Sequence, residues 1–384
     1  VSRGLLESRR VPGSRESRFD PHEVSRLAER RRAGGRAGAL ELVVDSDLTL
    51  LEPAGGLWFR GWNVESACGR VSFEEIAEWL WDSREGFPFE ADPSALAVAR
   101  AAVAALPSDT RPVERFRVAL AAASVTDPLR FDRRPRAVAA TGRRILATLV
   151  DSVAPDGDHS GHRGSRSTET NSVAERLFSL LAPDPAQHTA ARHRAFEAAM
   201  VVLADHEMAS STLAARVTAS TWADPYLVVL AGLSALGGPL HGGASDRLVP
   251  LLRDAQAVGA AQAIGERLRV GEQVGGFGHP VYTGRDPRAD ALWPLLAKGW
   301  DGDPAFRAAG DVIDVVRSQD DTFPNIDLAL ATLVTCADMV PGAGEAVFAV
   351  ARCAGFVAHA MEEYRHRLRF RVRAAYTGPA PGTI

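Results

Sequence analysis

The sequence almost lacks lysine: of its 44 basic residues Lys298 is the only lysine, and the rest are arginines. Codon usage in a G+C-rich genome accounts for that bias more simply than a ligand does. The formal net charge of −4 gives the chain as a whole no attraction for nucleic acid. Cysteine is scarce as well. Cys68, Cys336 and Cys353 have neither CxxC nor zinc-ligand spacing, and an odd thiol count without a signal peptide leads us to expect a reducing cytoplasm. No apolar run reaches the length that spans a bilayer, so no membrane partner is expected. The longest run, residues 226–240, is interrupted by glycines and reads as a buried helix. The signatures of several enzyme classes are also missing. There is no Gly-x-Ser-x-Gly elbow and no Walker A loop, and Asp205-His206-Glu207 lacks the second histidine of a zinc-protease helix. Gly276-Phe277-Gly278 lacks the third glycine of a dinucleotide fingerprint. Neither a metal site nor a resident cofactor is expected.

What the chain does have is enough apolar material for a large core. With 384 residues and 46% hydrophobic content it should form two domains. Residues 1–34 stand apart, with nine arginines against five acids. There Gly4-Leu5-Leu6, Arg9-Arg10 and Pro12-Gly13-Ser14 read as a β-hairpin or wing. Phe19-Asp20-Pro21-His22-Glu23-Val24 then reads as a helix start with a cap, a first-turn proline and a hydrophobic staple. A solvated basic arm with one capped helix explains this segment equally well.

Alternation over Asp45–Glu52 predicts a strand, followed by Gly55-Gly56-Leu57-Trp58-Phe59-Arg60-Gly61. A helix is predicted after Ser72, which with Glu75 forms a capping-box pattern. From Pro93 onward most segments repeat with the helical period, and residues 154–170 read as a polar loop. The expected fold class is mainly α.

Three segments place histidine or aspartate on helix-breaking turns: Gly237-Gly238-Pro239-Leu240-His241-Gly242-Gly243-Ala244, Val274-Gly275-Gly276-Phe277-Gly278-His279-Pro280-Val281-Tyr282, and Phe323-Pro324-Asn325-Ile326-Asp327. Singly, each is weak, since a loop histidine is more often structural and an aspartate after a turn is more often a cap. Together, two histidines and a carboxylate on shaped turns suit general acid–base chemistry without a metal.

These segments also carry a resemblance. From about residue 40 to 378 the chain resembles the citrate synthase and 2-methylcitrate synthase family. The motifs are Phe59-Arg60-Gly61-Trp62, Ala204-Asp205-His206-Glu207, Gly238-Pro239-Leu240-His241-Gly242, Gly276-Phe277-Gly278-His279 with Asp286-Pro287-Arg288, Pro324-Asn325-Ile326-Asp327, Phe348-Ala349-Val350-Ala351-Arg352 and Arg371-Val372-Arg373-Ala374-Ala375-Tyr376-Thr377-Gly378, in the family's order. The resemblance implies a helical two-domain fold: a large domain in two parts, 35–242 and 340–384, with a small domain inserted at 243–339. It implies a homodimer that joins acetyl-CoA or propionyl-CoA to oxaloacetate. Asp327 would take the proton from the acyl-CoA, His241 would hydrogen-bond the thioester oxygen, and His279 would polarise the ketone of the oxo acid. Ser211 would orient His241. Arg288, Arg352 and His206 would bind the oxo acid, with Arg371 reaching in from the partner subunit. Val274, Gly275, Gly276, Phe277 and Gly278 would receive CoA.

The chain departs from the family at three places. Leu328-Ala329-Leu330-Ala331 replaces an aromatic or aromatic-polar pair and Ser-Gly after the aspartate. Pro280 and Thr283 replace two cations after the second histidine, and Ala209 replaces an asparagine. These changes bear on acyl-CoA affinity and acyl preference, and they spare the acid–base set. The amino-terminal order also resembles the back half of a MerR-type winged helix-turn-helix, here 1–34, without the helices that read DNA. A metabolite-sensing regulator is therefore the rival reading. A chain that opens on valine and lacks a recognition helix is expected not to bind DNA specifically.

Overall fold

Among the described residues two short sheets and one isolated bridge, Phe277 to Pro324, hold the strand pairing, and helices dominate. The computed structural model describes residues 8–10, 17–19, 43–83, 85–154, 171–238, 241–368 and 370. Two compact units divide at the Asp47–Leu48 junction. In the first, β1 (Ser8–Arg10) pairs antiparallel with β2 (Ser17–Phe19), Arg9 opposite Arg18. This is the expected hairpin; the helix expected after it lies outside the described residues.

The second unit opens with a three-stranded antiparallel meander: β3 (Thr49–Glu52), β4 (Gly56–Phe59) and β5 (Trp62–Asn63). The strand expected over residues 45–52 is present in its second half. Its turn runs through Gly55, and β4 buries Leu57 and Phe59.

Fifteen helices follow among the described residues: α1 (Val64–Ala67), α2 (Phe73–Leu80), α3 (Pro93–Ala104), α4 (Pro112–Ser124), α5 (Pro135–Asp151), α6 (Val173–Leu181), α7 (Ala190–Leu203), α8 (Ser210–Ser220), α9 (Pro225–Leu236), α10 (Val249–Val258), α11 (Ala260–Arg269), α12 (Pro287–Gly299), α13 (Pro304–Gln319), α14 (Ile326–Cys336) and α15 (Ala343–Glu363). Their starts follow local chemistry. Ser72 Oγ accepts from Glu75 N–H at 3.1 Å while the Glu75 carboxylate accepts from Ser72 N–H at 2.7 Å, closing the expected box. Asp92, Asp224, Asp286 and Asp303 each cap a helix whose first residue is proline, which spends its missing N–H where none is needed.

The axis of the main core is α15. All 21 of its residues are buried, as a helix surrounded by other helices requires. Helices α5, α7, α8 and α9 pack on it. Each fully buried Leu, Val or Phe in this core contributes about 1.5–3 kcal/mol relative to exposure. A second, separate core joins α10, α11 and α13 through Leu251, Leu252, Ile264, Ala309 and Val312, and takes Leu328 and Ala331 from α14. Among the described residues no helix is long and apolar enough to cross a membrane.

Candidate active site

The three turns singled out in the sequence converge. The Gly276–Gly278 loop is strapped to the turn before α14. Asn325 N–H donates to Gly276 O at 2.9 Å, Gly278 N–H to Phe323 O at 2.8 Å, and the Asn325 side chain donates to Gly278 O at 3.0 Å. Only glycine suits this loop. Gly276 has φ +89°, and a Cβ there would press on Leu248 and Leu328 at 2.9 and 3.0 Å. Asn325 also caps α14 by accepting from Asp327 N–H, so one side chain places Asp327 and the loop leading into His279. Val274 and Phe277 lean on the second core.

His279 receives backbone N–H groups at Nδ1, from Val281 at 3.1 Å and Tyr282 at 3.3 Å. The ring proton therefore sits on Nε2, the nitrogen left to act as a donor. Burial, then the Arg288 cation, pull its pKa down to about 4 against an opposing push from Asp286. His241 precedes a short 3₁₀ turn, and its Nε2 lies 2.7 Å from Ser211 Oγ on α8. Its ring meets Phe348 of α15 edge to face, centroids 5.9 Å apart. Burial and Arg352 bring its pKa to about 4 too, so both rings are neutral at neutral pH. The Asp327 carboxyl is shifted the other way. Burial raises it and Asp286 adds to the rise, against Arg288 and Arg247.

Two buried arginines, Arg288 and Arg352, lie close enough to these groups to shift their pKa values. Arg352 is buried in α15 and gives Nε–H to Leu203 O at 3.0 Å, while neither Nη1 nor Nη2 has a hydrogen-bond partner among the described residues. Burial and Arg288 lower its pKa to about 10 in spite of Asp205, still far above neutrality. A buried guanidinium with both outer nitrogens free is arranged for a planar, bidentate anion such as a carboxylate. Arg288 is also buried, but its Nε and Nη2 bind the Asp286 carboxylate at 3.0 and 2.8 Å, leaving Nη1 without a hydrogen bond among the described residues. His206 is held neutral by burial and by both arginines, well below the ordinary histidine value. Its ring stands edge-on to His279 at 5.2 Å, and its Nε2 is 3.1 Å from Tyr282 Oη.

Sequence reading had placed His206, His241, His279, Arg288, Asp327 and Arg352 at the site, and the fold brings their elements together. Arg371 lies outside the described residues. Tyr282 was overlooked, although the quoted motif contained it. Its hydroxyl binds His206, and its ring packs on His279 at 4.7 Å. Asp205 was overlooked too. It is fully buried, accepting from Thr49 Oγ1 at 2.5 Å and from Glu207 N–H at 3.2 Å. A separate cleft of about 700 Å³, lined by Arg70, Glu175, His193, Arg194 and Glu197, contains none of these residues.

Comparison with known proteins identifies the family. The family model for the C-terminal domain of citrate synthase matches residues 40–373. Citrate synthase 2 of Bacillus subtilis is 29% identical over 341 residues, covering 84% of this chain and 90% of its own. The 2-methylcitrate synthase 1 of Corynebacterium glutamicum is 26% identical over 349 residues, covering 86% and 91%. Among solved structures, Thermotoga maritima citrate synthase superposes with a TM-score of 0.69 at 25% identity, over 88% of this chain and 94% of that one. The Thermoplasma acidophilum enzyme, solved with carboxymethyl-CoA and oxaloacetate, shares the fold at a TM-score of 0.68 and 23% identity, over the same fractions. The chain is a member of the citrate synthase family, and an enzyme of that type.

Proposed function

We propose that this enzyme condenses acetyl-CoA or propionyl-CoA with oxaloacetate, releasing CoA and citrate or 2-methylcitrate. The observation that carries the reading is the buried Arg352, with Nη1 and Nη2 unpartnered beside two neutral histidines and one carboxyl. A dicarboxylate supplies the acceptors that its Nη1 and Nη2 lack among the described residues. Arg288, Arg352 and His206 hold it, and Arg371 adds a contact from the partner subunit of a homodimer.

Asp327 removes a proton from the carbon next to the thioester. Its raised pKa makes it a better base than an ordinary aspartate. His241 stabilises the developing enolate oxygen through Nδ1. A hydroxyl proton given by Ser211 to Nε2 leaves the ring's own proton on Nδ1. The enolate carbon attacks the ketone carbon of the oxo acid. His279 gives the ketone oxygen a hydrogen bond and then a proton from Nε2, and the ring is reprotonated through water by the proton that Asp327 took. Water hydrolyses the resulting thioester and frees CoA. Val274 to Gly278 receive CoA, and the small domain, 243–339, closes over the pocket to exclude water.

We place the enzyme in the cytoplasm, where its three free thiols would stay reduced. Product identity tests the reading. Acetyl-CoA labelled with ¹³C in the methyl group and mixed with oxaloacetate should yield labelled citrate by mass spectrometry. Recovery of labelled acetate alone, at a rate independent of oxaloacetate, would reject condensation.

A further inference from the structure

Behind the pocket runs a line of buried charge that the condensation itself does not use. On α15, residues 352, 355, 359, 362 and 363 share one helical face, leading from Arg352 to the helix end. His359 sits midway and is fully buried. Arg216, from α8, gives an Nη1 proton to His359 Nδ1 at 2.9 Å, so the imidazole proton lies on Nε2. That nitrogen faces both Asp205 oxygens, at 3.2 and 3.3 Å. Arg216 is in turn clamped by Glu363, at 3.0 and 3.1 Å, and by Glu362. Arg216, His359, Asp205 and Glu363 are all wholly buried.

Asp205 governs the neighbouring turn. Its carboxylate accepts from Glu207 N–H, and Glu207 holds φ +53°, a left-handed conformation that a glutamate adopts only when its surroundings enforce it. His206 lies between these two residues. The same turn packs against α15 at Gly355, whose N–H donates to Ala204 O at 3.0 Å. A Cβ on Gly355 would sit 2.3 Å from Asp205 Oδ1. Asp205 is also the nearby anion that partly offsets the Arg352 cation.

We propose that His359 is a positioning residue for the oxo-acid pocket: through Nε2 it orients Asp205, and so fixes the His206 turn and the electrostatic balance at Arg352. This rests on the condensation reading only in naming the oxo acid as the occupant. The imidazole bridges an arginine donor and a carboxylate acceptor without adding a net charge. Glutamine can do the same, accepting at Oε1 and donating from Nε2. Leucine can do neither.

The test compares wild type, His359→Gln and His359→Leu for turnover, for KM of oxaloacetate and of acetyl-CoA, and for oxaloacetate binding by calorimetry, with thermal unfolding as the check on folding. His359→Leu should raise the oxaloacetate KM and Kd by roughly tenfold or more, with a smaller change in kcat and little in the acetyl-CoA KM. His359→Gln should recover most of that loss. Equal losses in all parameters for both variants would mean a structural role only, and unchanged oxaloacetate binding in folded His359→Leu would overturn the proposal. Should His359→Leu fail to fold, His359→Gln decides: a large rise in its oxaloacetate Kd overturns the bridging role. A wild-type protein that binds oxaloacetate but does not condense it defeats the functional reading while leaving this inference to the binding data. One that does neither defeats both.

Discussion

Ser211 Oγ and His241 Nε2 stand 2.7 Å apart, joining α8 to the turn ahead of the second core. The serine is fully buried. A hydroxyl proton given to Nε2 would fix the ring's own proton on Nδ1. Ser211→Ala should therefore lower kcat by about tenfold, the value of one oriented hydrogen bond of about 1.4 kcal/mol. The oxaloacetate KM should hardly change. Steady-state kinetics check this, and an unchanged kcat would show that His241 is oriented by something else.

Arg352 makes a different prediction, because its Nη1 and Nη2 have no hydrogen-bond partner among the described residues. Arg352→Gln should raise the oxaloacetate KM by roughly a hundredfold or more, since it removes a buried charge from a carboxylate partner. Arg352→Lys should recover only part of this, because an ammonium cannot bind bidentately. Full activity in the lysine variant would argue against a two-pronged grip.

The pH dependence follows from the shifted groups. His241 and His279, both at about 4, must be neutral to work and stay so until the pH falls well below the ordinary histidine value of 6.5. Asp327 must be ionised, and its raised pKa moves its loss of charge upward from 3.8. The acid limb of kcat/KM therefore belongs to Asp327 and lies above that of an ordinary aspartate, with both histidines neutral as it sets in. A limb no higher than an ordinary aspartate's would contradict the raised Asp327 carboxyl.

Assembly can be tested by mixing. If Arg371 completes the neighbouring subunit's pocket, inactive Asp327→Ala and inactive Arg371→Ala proteins should regain activity once subunits exchange. Mixed dimers would then carry one intact site. No recovery despite demonstrated exchange would confine each site to a single chain.

Local signals were legible in the sequence and long-range partnerships were not. The Ser72–Glu75 box, the amino-terminal hairpin and the shaped turns at His241, His279 and Asp327 depend on neighbours a few residues away. Asp205 and His359 meet across 154 residues, and Arg216 reaches Glu363 across 147, so neither pair leaves a periodic trace. Arg352 was one arginine among many until the motif around it singled it out. Nothing in the sequence says that its Nη atoms would be left without partners. Nor does periodicity tell which core an apolar face joins: α12 lies within 243–339, yet Ala289, Leu292 and Leu296 pack in the main core.

The most direct measurement is CoA thiol release from acetyl-CoA and from propionyl-CoA, with and without oxaloacetate, for wild type and for Asp327→Asn. Asparagine keeps the shape of the side chain and cannot accept the proton. The account predicts thiol release by wild type only when oxaloacetate is present, and a loss of roughly 10²–10⁴ in rate for Asp327→Asn with oxaloacetate binding retained. Asp327→Asn keeping more than about a tenth of the wild-type rate, or wild type releasing thiol equally well without oxaloacetate, would contradict it.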